Sequence, residues 1–161
     1  MFAIATSHSL YKQDYYLWLE TTADLLRQKK FDRLDLNNLI EEIEAMGRSE
    51  KRELYNRLIV LLMHLLKWEY QPSHRSNSWI STITEQRRQI VKLLADSPSL
   101  KNYFQESFQE CYQIARKDAS TETGLSLESF PEQFSFEQEI VLNPDFPFGK
   151  GDWVRERVME I

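Results

Sequence analysis

The strongest pattern in the chain is a stretch in which apolar residues occupy nearly every side of a helix. One stripe repeats there at intervals of three and four residues: Leu54, Leu58, Leu61, Leu65 and Trp68. The other sides of the helix are also apolar, with Ile59, Val60, Leu62, Met63 and Leu66. A helix that is apolar all round lies in the interior of a protein. We therefore expect a central buried helix, which ends near Tyr70 because Pro72 disfavours helical geometry at the preceding residue.

Two shorter helices are predicted before this one, with Asp14 and Asp35 as their N-caps. The second has an apolar face: Leu36, Leu39, Ile40, Ile43 and Met46. Gly47 falls where that face should continue. It could end the helix, with Ser49 capping a new one, or be a point of close approach within one long helix. The sequence favours a helix end, because glycine in a helix interior costs about 1 kcal/mol.

Two more helices are predicted after the central one. The first has an apolar face and turns Arg87, Arg88 and Lys92 outward; its apolar residues are Trp79, Ile80, Ile83, Ile90, Leu93 and Leu94. The Ser97-Pro98 pair predicts the start of the second, since proline suits the first helical position. That helix has a core-facing pattern of its own: Leu100, Phe104, Phe108, Cys111, Tyr112 and Ala115. It should continue to about Ala119, with the Thr123-Gly124 pair closing it.

The residues after Gly124 are rich in aromatics and prolines and have little helical pattern. At most one short helix is expected there, between Phe136 and Leu142. The sequence therefore predicts an all-α fold, an antiparallel bundle of four to five long helices with an irregular aromatic- and proline-rich C-terminal arm. We expect a single helical domain over residues 1–161, with a frayed tail at 149–161.

Composition narrows the function classes. The formal net charge is −5, yet residues 47–92 carry nine basic against four acidic side chains, so the centre of the chain is basic. The single cysteine, Cys111, excludes an internal disulfide and fits a reducing compartment. The apolar run 58–66 is far shorter than the ~20 residues of a membrane span, and the first ten residues lack a signal-peptide pattern. A cytoplasmic protein without a membrane segment is expected.

One cluster of polar and aromatic residues could bind a ligand. It surrounds the corner between the central helix and the next: His64, Lys67, Trp68, Tyr70, Gln71, His74, Arg75, Ser76, Ser78, Trp79 and Arg87. Arginines and amides flanked by aromatics can hold a phosphate or a nucleobase. The favoured alternative is a structural corner, in which Ser76 or Ser78 caps a helix and the two tryptophans pack.

No pattern in the sequence supports a metal site or a catalytic nucleophile. Di-iron bundles need Glu-x-x-His on two helices, and neither that spacing nor a zinc spacing occurs. We expect no metal, no cofactor and no catalytic residue. The central glutamates should form a solvated face, with Glu42 a candidate partner for a core arginine. His64 is expected to be a hydrogen-bonded core histidine, and Cys111 a buried, inert thiol.

Arg75 raises a sharper question, because it precedes a helix whose N-terminus is locally positive. A second positive charge there needs an anion nearby. That anion could be an external phosphate or an internal carboxylate from Glu41, Glu42 or Glu44. The acidic composition favours the internal carboxylate.

Several long stretches resemble a bacterial family known as domain of unknown function twenty-nine. They are NLIEEIEAMGRSEKREL, RLIVLLMHLLKWEYQPSHRSNSW, TITEQRRQI, DSPSL and ETGLSLESFPE. The resemblance covers residues 14–148 and implies an all-helical protein without an established activity, cofactor or catalytic residue. We expect a non-enzymatic module that binds a protein partner, and homo-oligomerisation is open. The alternatives are a nucleic-acid-directed protein (a nuclease or a toxin–antitoxin component) and an enzyme with a helical metal or phosphate pocket.

Overall fold

The structure, a computed structural model, describes residues 7–148. Within them the fold is all-α, as predicted, and contains no strand. Five α-helices follow one another along the chain: α1 (Ser7–Gln13), α2 (Tyr15–Arg27), α3 (Leu36–Tyr70), α4 (Asn77–Asp96) and α5 (Leu100–Thr123). None of these described helices is both long enough and apolar enough to cross a bilayer. The frayed tail expected at 149–161 lies outside the described residues.

The chain divides into two compact units, Met1–Ser49 and Glu50–Ile161. In the N-terminal unit, the Asp14 side chain accepts a hydrogen bond from the Leu17 backbone N–H at 2.9 Å, which confirms it as the N-cap of α2. The start of α2 contacts the segment of α3 that belongs to this unit, since the Tyr15 hydroxyl donates to Glu42, in the middle of that segment, at 2.7 Å. The end of α2 leads through a 3-10 turn to the start of α3. The two helices therefore form an antiparallel hairpin.

The predicted helix end at Gly47 is wrong, because α3 runs without interruption for 35 residues. Ser49 lies inside the helix and caps nothing. The surrounding residues explain this result: glutamates, lysine, arginines and Ala45 are strong helix formers and offset the cost of one glycine. A Cβ atom added at Gly47 would meet nothing within 4 Å, so no described side chain requires glycine there.

Gly47→Ala should therefore raise the free energy of unfolding by about 0.5–1 kcal/mol, since alanine loses less backbone entropy in a helix. Chemical denaturation measures the change. Gly124→Ala is the matched control: its added Cβ also meets open space, but Gly124 has a φ of 74° at the C-cap of α5. This variant should be destabilised, because an L residue is strained at that φ. A loss of stability in Gly47→Ala would contradict a continuous α3.

In the C-terminal unit, α3 and α4 run antiparallel. Arg57 in the middle of α3 donates to Gln86 at 3.2 Å, whereas Lys67 near its end lies over the ring of Trp79, 4.7 Å from the centroid. Residue numbers therefore increase along α3 in the direction in which they decrease along α4. The short connection Gln71–Ser76 requires this reversal, as expected for an antiparallel bundle.

Helix α5 runs parallel to α3 and antiparallel to α4. The thiol of Cys111 lies 3.7 Å from the Tyr55 carbonyl oxygen, and Lys67 pairs with Glu122 further along both helices. The core forms among these three helices, and Leu61 and Leu65 belong to it, as predicted. The side chains of these three helices that are at most 1% exposed include Leu54, Leu58, Leu61, Ile83, Ile90, Phe104, Phe108, Cys111 and Tyr112.

The start of α5 differs from the prediction by two residues. Ser97 is the C-cap of α4, and its N–H donates to the Leu93 carbonyl at 2.9 Å. The chain then turns through Pro98 and Ser99 before α5 begins at Leu100. The Ser97-Pro98 pair therefore ends one helix and does not cap the next. The Gly124 end of α5 is confirmed, because it has the left-handed conformation typical of a helix C-terminus.

The outward orientation predicted for Arg87 is wrong. Its side chain is buried and points to the C-terminal arm, where Nε donates to the Val141 carbonyl at 2.7 Å. The Nη atoms donate to the carbonyls of Pro144, at 3.4 Å, and Phe146. Burial lowers the pKa of Arg87 to about 10, so the guanidinium stays charged at neutral pH. Three carbonyl dipoles replace the water that this cation loses.

A second buried arginine holds the beginning of the arm in the same way. Arg116 donates to the carbonyls of Phe130 and Leu127, both at 3.2 Å. Between the two arginines the arm packs through consecutive edge-to-face contacts of phenylalanine rings: Phe108, Phe134, Phe136 and Phe146. The predicted short helix is a 3-10 turn at Gln138–Leu142. The arm is thus irregular in backbone but fixed onto α4 and α5.

Candidate functional site

The predicted corner exists, formed by the end of α3, a 3-10 turn at Pro72–His74 and the start of α4. Ser76 is the cap of α4, since its hydroxyl accepts from the Trp79 N–H at 3.3 Å. Ser78 lies one residue inside the helix and is exposed. Ten of the eleven candidate residues belong to these segments. Arg87 does not, because it lies two turns further along α4 and binds the arm.

The central cation of the corner already has a carboxylate partner. Lys67 is buried, and its Nζ lies 2.6 Å from a carboxylate oxygen of Glu122 and above the Trp79 ring. Gln71 donates to the Thr123 carbonyl at 3.3 Å, so the corner is tied to the end of α5. Sequence reasoning missed Glu122, since nothing local indicates that α5 ends beside Lys67. Lys67 and Gln71 therefore both connect the corner to the end of α5.

Arg75 has partners other than those predicted. Its Nε donates to the Trp68 carbonyl at 2.8 Å, and its guanidinium lies 4.8 Å from the centroid of the Trp68 ring. The Trp68 ring also meets Phe148 edge to face, with 4.9 Å between the ring centroids. Among the described residues, no glutamate pairs with Arg75. The prediction of an internal carboxylate is therefore wrong, because a carbonyl and an aromatic face stabilise this exposed cation.

We expect Arg75→Ala to leave the free energy of unfolding within about 0.5 kcal/mol of the wild type, as for other surface changes. Its contacts are one exposed hydrogen bond and one exposed cation–π pair. Lys67→Ala is the comparison variant, and it should lower stability more, because it removes a buried stem and an ion pair. Thermal melts of both variants give the answer. A drop above about 1 kcal/mol for Arg75→Ala, beyond the usual surface range, would mean that a buried partner exists.

His64, His74 and Cys111 are the histidines and the cysteine whose side chains the structure describes, and each has a contact or an environment of its own. The Nδ1 of His64 lies 2.9 Å from the Val60 carbonyl, and burial lowers the pKa of this half-buried imidazole. His74 Nδ1 lies 3.1 Å from the Ser73 hydroxyl. Cys111 is buried, as predicted, and burial raises the pKa of its thiol to about 12. A thiol with that pKa stays protonated at neutral pH and is a poor nucleophile.

Two of the glutamates on α3, Glu41 and Glu42, have partners of their own. Glu42 accepts hydrogen bonds from the hydroxyls of Tyr11, at 2.5 Å, and Tyr15, so the expected core arginine is not its partner. These two hydrogen bonds lower the pKa of the Glu42 carboxyl, and the same carboxylate raises the pKa of Tyr11 to about 12. Glu41 pairs with Arg48 at 2.7 Å. Residues 7–148 bring no three histidine, cysteine or acidic side chains together at a distance suited to a metal ion.

The basic centre of the sequence does not form a free basic surface. Four of its nine basic side chains are in ion pairs: Arg48 with Glu41, Arg57 with Glu53, Lys67 with Glu122, and Arg88 with Glu85. Arg87 is buried against carbonyls. Two more, Lys51 and Arg75, lie over aromatic rings. Most of the local positive charge is therefore compensated within the protein, which weakens the electrostatic case for binding nucleic acid.

The most unusual surface lies in the N-terminal unit. Of the twelve large apolar side chains that are strongly exposed among the described residues, ten belong to that unit. Four of them form one line on α3, here called the α3 stripe: Leu36 (54% exposed), Ile40 (51%), Ile43 (60%) and Met46 (68%). The sequence placed these residues on one face of a helix. It could not indicate that the face is turned to solvent.

Comparison with known proteins identifies a family and nothing closer. The family model described as domain of unknown function DUF29 matches residues 10–147, which includes all of α2 to α5 and nearly the whole arm. Neither the comparison with curated proteins nor that with solved structures gives a match. The match covers most of the chain and confirms the resemblance carried by its motifs. This all-helical protein, with its exposed α3 stripe and its arm held by buried arginines, belongs to the DUF29 family.

Proposed function

We propose that this protein is a non-enzymatic binding module that recognises another polypeptide through the α3 stripe. The observation that carries the proposal is the exposure of Leu36, Ile40, Ile43 and Met46, each more than half open to solvent on one side of a helix. Large apolar patches on a protein surface mark interaction sites, because water leaves them favourably when a partner covers them.

The spacing of the stripe indicates how a partner would bind. Residues 36, 40 and 43 follow the i, i+4, i+7 pattern by which amphipathic helices are recognised in grooves or by other helices. Burying a leucine or isoleucine side chain completely gains about 1.5–3 kcal/mol. Side chains that are half exposed can supply only part of that gain each, so several acting together are needed. The stripe supplies four.

The predicted corner supports this function less well. Its buried cation is paired with Glu122, its cap serine is engaged, and its tryptophans pack against described side chains. The compensation of the basic residues likewise favours a protein partner over a nucleic acid. The exposure of the α3 stripe, by contrast, is not explained by contacts within the described residues. A binding surface would account for it.

Site-specific crosslinking tests the proposal. A photo-crosslinking amino acid in place of Ile43 should give a discrete polypeptide adduct in the native host. The same amino acid in place of Val91, an exposed apolar residue on α4 (46% exposed), should not. The adduct at position 43 should disappear when Ile40→Asp is added, because a carboxylate within the stripe prevents its burial. Absence of an adduct at position 43, or equal adducts at both positions, would refute the proposal.

A further inference from the structure

A second line of exposed apolar side chains lies on α2, here called the α2 row. Its members are Tyr15 (47% exposed), Leu19 (40%) and Leu26 (42%). At about 3.6 residues per turn, these three positions fall within roughly 40° of one another around the helix. The hairpin of the N-terminal unit therefore has one exposed apolar line on each of its two helices.

The α2 row and the α3 stripe lie on the same side of the hairpin. Viewed from the N-terminus of α2, the row follows the buried side chains Trp18 and Thr22 in the clockwise direction. Viewed from the N-terminus of α3, the stripe follows Glu42, which accepts a hydrogen bond from Tyr15 of α2, in the same direction. Because the two helices are antiparallel, equal rotations bring both lines to one side. They form the two walls of a surface that we call the hairpin groove.

The shape of the hairpin groove fits a third helix. Side chains that repeat every three and four residues along a helix can pack against both walls at once, as in helical bundles. An extended strand binds mainly through backbone hydrogen bonds at a sheet edge. The backbone groups of α2 and α3 are already bonded within their own helices, so the groove offers a strand no such edge.

The two rims of the groove carry negative charge. Glu20 follows Leu19 of the α2 row, and Glu44 follows Ile43 of the α3 stripe, so each is turned outward by about 100° from its neighbour. Both glutamates are exposed, and neither forms an ion pair with a described residue. The single arginine of α2 pairs with a carboxylate of its own helix at 2.6 Å, and that of α3 in this unit does so at 2.7 Å.

Positive charge is placed at one end of the groove. Lys29, Lys30 and Arg33, together with Asp32, belong to the turn that joins α2 to α3. These residues would face the end of a bound helix and not its flanks. The C-terminus of a helix carries the negative pole of the helix dipole and suits that position.

From the two apolar walls and the charge on their rims, we infer that the partner presents an amphipathic helix with lysine or arginine on both flanks of its apolar side. This helix lies in the hairpin groove with its C-terminal end at the turn. The inference rests on the proposed function and names the class of segment that the α3 stripe recognises. Apolar contacts supply most of the affinity, and the pairing of basic flanks with Glu20 and Glu44 supplies specificity.

Binding of two synthetic peptides to the purified full chain tests the inference. Both peptides are amphipathic helices with the same leucine side, and their flanks carry lysine in one and glutamate in the other. The lysine peptide should bind about tenfold more tightly at low salt. Sodium chloride should reduce this advantage, because it screens exposed charges. Fluorescence anisotropy of the labelled peptides measures both affinities. Equal affinities, or no binding of either peptide, would overturn the inference.

A charge reversal on the rims should reverse the preference. The double variant Glu20→Lys/Glu44→Lys should bind the glutamate peptide more tightly than the lysine peptide. Glu106→Lys/Glu128→Lys is the matched control, because both glutamates are exposed, lie outside the N-terminal unit and change the net charge equally. This control should keep the wild-type preference. A preference that both double variants change alike would reflect net charge alone and would overturn the inference.

Substitutions on the two walls test whether the partner contacts both helices. Leu26→Asp on α2 and Ile40→Asp on α3 should each weaken binding of the lysine peptide about tenfold or more, because a carboxylate on either wall opposes burial. Circular dichroism identifies any variant that fails to fold. Wild-type affinity in a folded Leu26→Asp variant would show that α2 takes no part, which would overturn the groove.

The crosslink at position 43 separates this inference from the proposed function. A discrete polypeptide adduct, found together with equal affinities for the two peptides, would overturn the basic helix and leave the binding function standing. Absence of the adduct together with absence of peptide binding would overturn both.

Discussion

Replacing Arg87 with methionine should lower the free energy of unfolding by about 3–5 kcal/mol. The variant keeps a long apolar stem but removes the hydrogen bonds that the guanidinium donates to the buried carbonyls of Val141 and Phe146. Each buried acceptor that loses its hydrogen bond costs about 1–3 kcal/mol. The loss should be accompanied by release of the arm, which limited proteolysis after Gly124 would detect. Urea denaturation gives the change in free energy.

Arg88→Met is the control for this experiment, because the neighbouring arginine is exposed and pairs with Glu85 three residues earlier. A surface pair of this kind is worth less than about 1 kcal/mol. The two variants differ by one position but should differ strongly in stability. Equal and small effects would show that Arg87 does not hold the arm in solution.

Leu61→Ala is expected to have the next largest effect, a loss of about 2–5 kcal/mol in the free energy of unfolding. The Leu61 side chain is fully buried on the all-round apolar part of α3. Truncation removes three carbon atoms and leaves a cavity that close-packed neighbours fill only partly. Chemical denaturation at constant protein concentration measures the loss.

Val91→Ala is the matched surface variant, since Val91 is apolar and helical but nearly half exposed. Its stability should change by about 0.5 kcal/mol or less. A loss below about 1 kcal/mol for Leu61→Ala, in the range of surface positions, would mean that the centre of the core is elsewhere.

The elements that depend on local pattern could be predicted from the sequence. The all-round apolar stretch of α3 is in the core, Asp14 and Ser76 cap their helices, and Gly124 ends α5. Each of these features has a short-range physical cause. The prediction at Gly47 is wrong because the helix propensity of the neighbours on both sides outweighs the cost of one glycine.

Features that depend on distant parts of the chain could not be predicted. Arg87 lies four residues after Ile83 and three before Ile90, so the three side chains share one face of α4. This spacing is the one signal in the sequence that Arg87 is buried. Its carbonyl partners come from an arm more than fifty residues away, whose path has no pattern. In the same way, Lys67 finds Glu122 only because α5 runs parallel to α3.

The attachment of the arm by carbonyls has a consequence for its response to solution conditions. A carboxylate partner would gain a proton in acid and release its arginine, whereas a peptide carbonyl has no proton to gain. Arg87 and Arg116 each hold the arm through carbonyls, with the single side-chain amide of Gln113 as a further partner of Arg116. None of these acceptors titrates, and the contacts of Arg87 are shielded from salt by burial. The arm should therefore stay attached in mild acid and at high ionic strength, where the exposed ion pairs of the helices have already lost their strength.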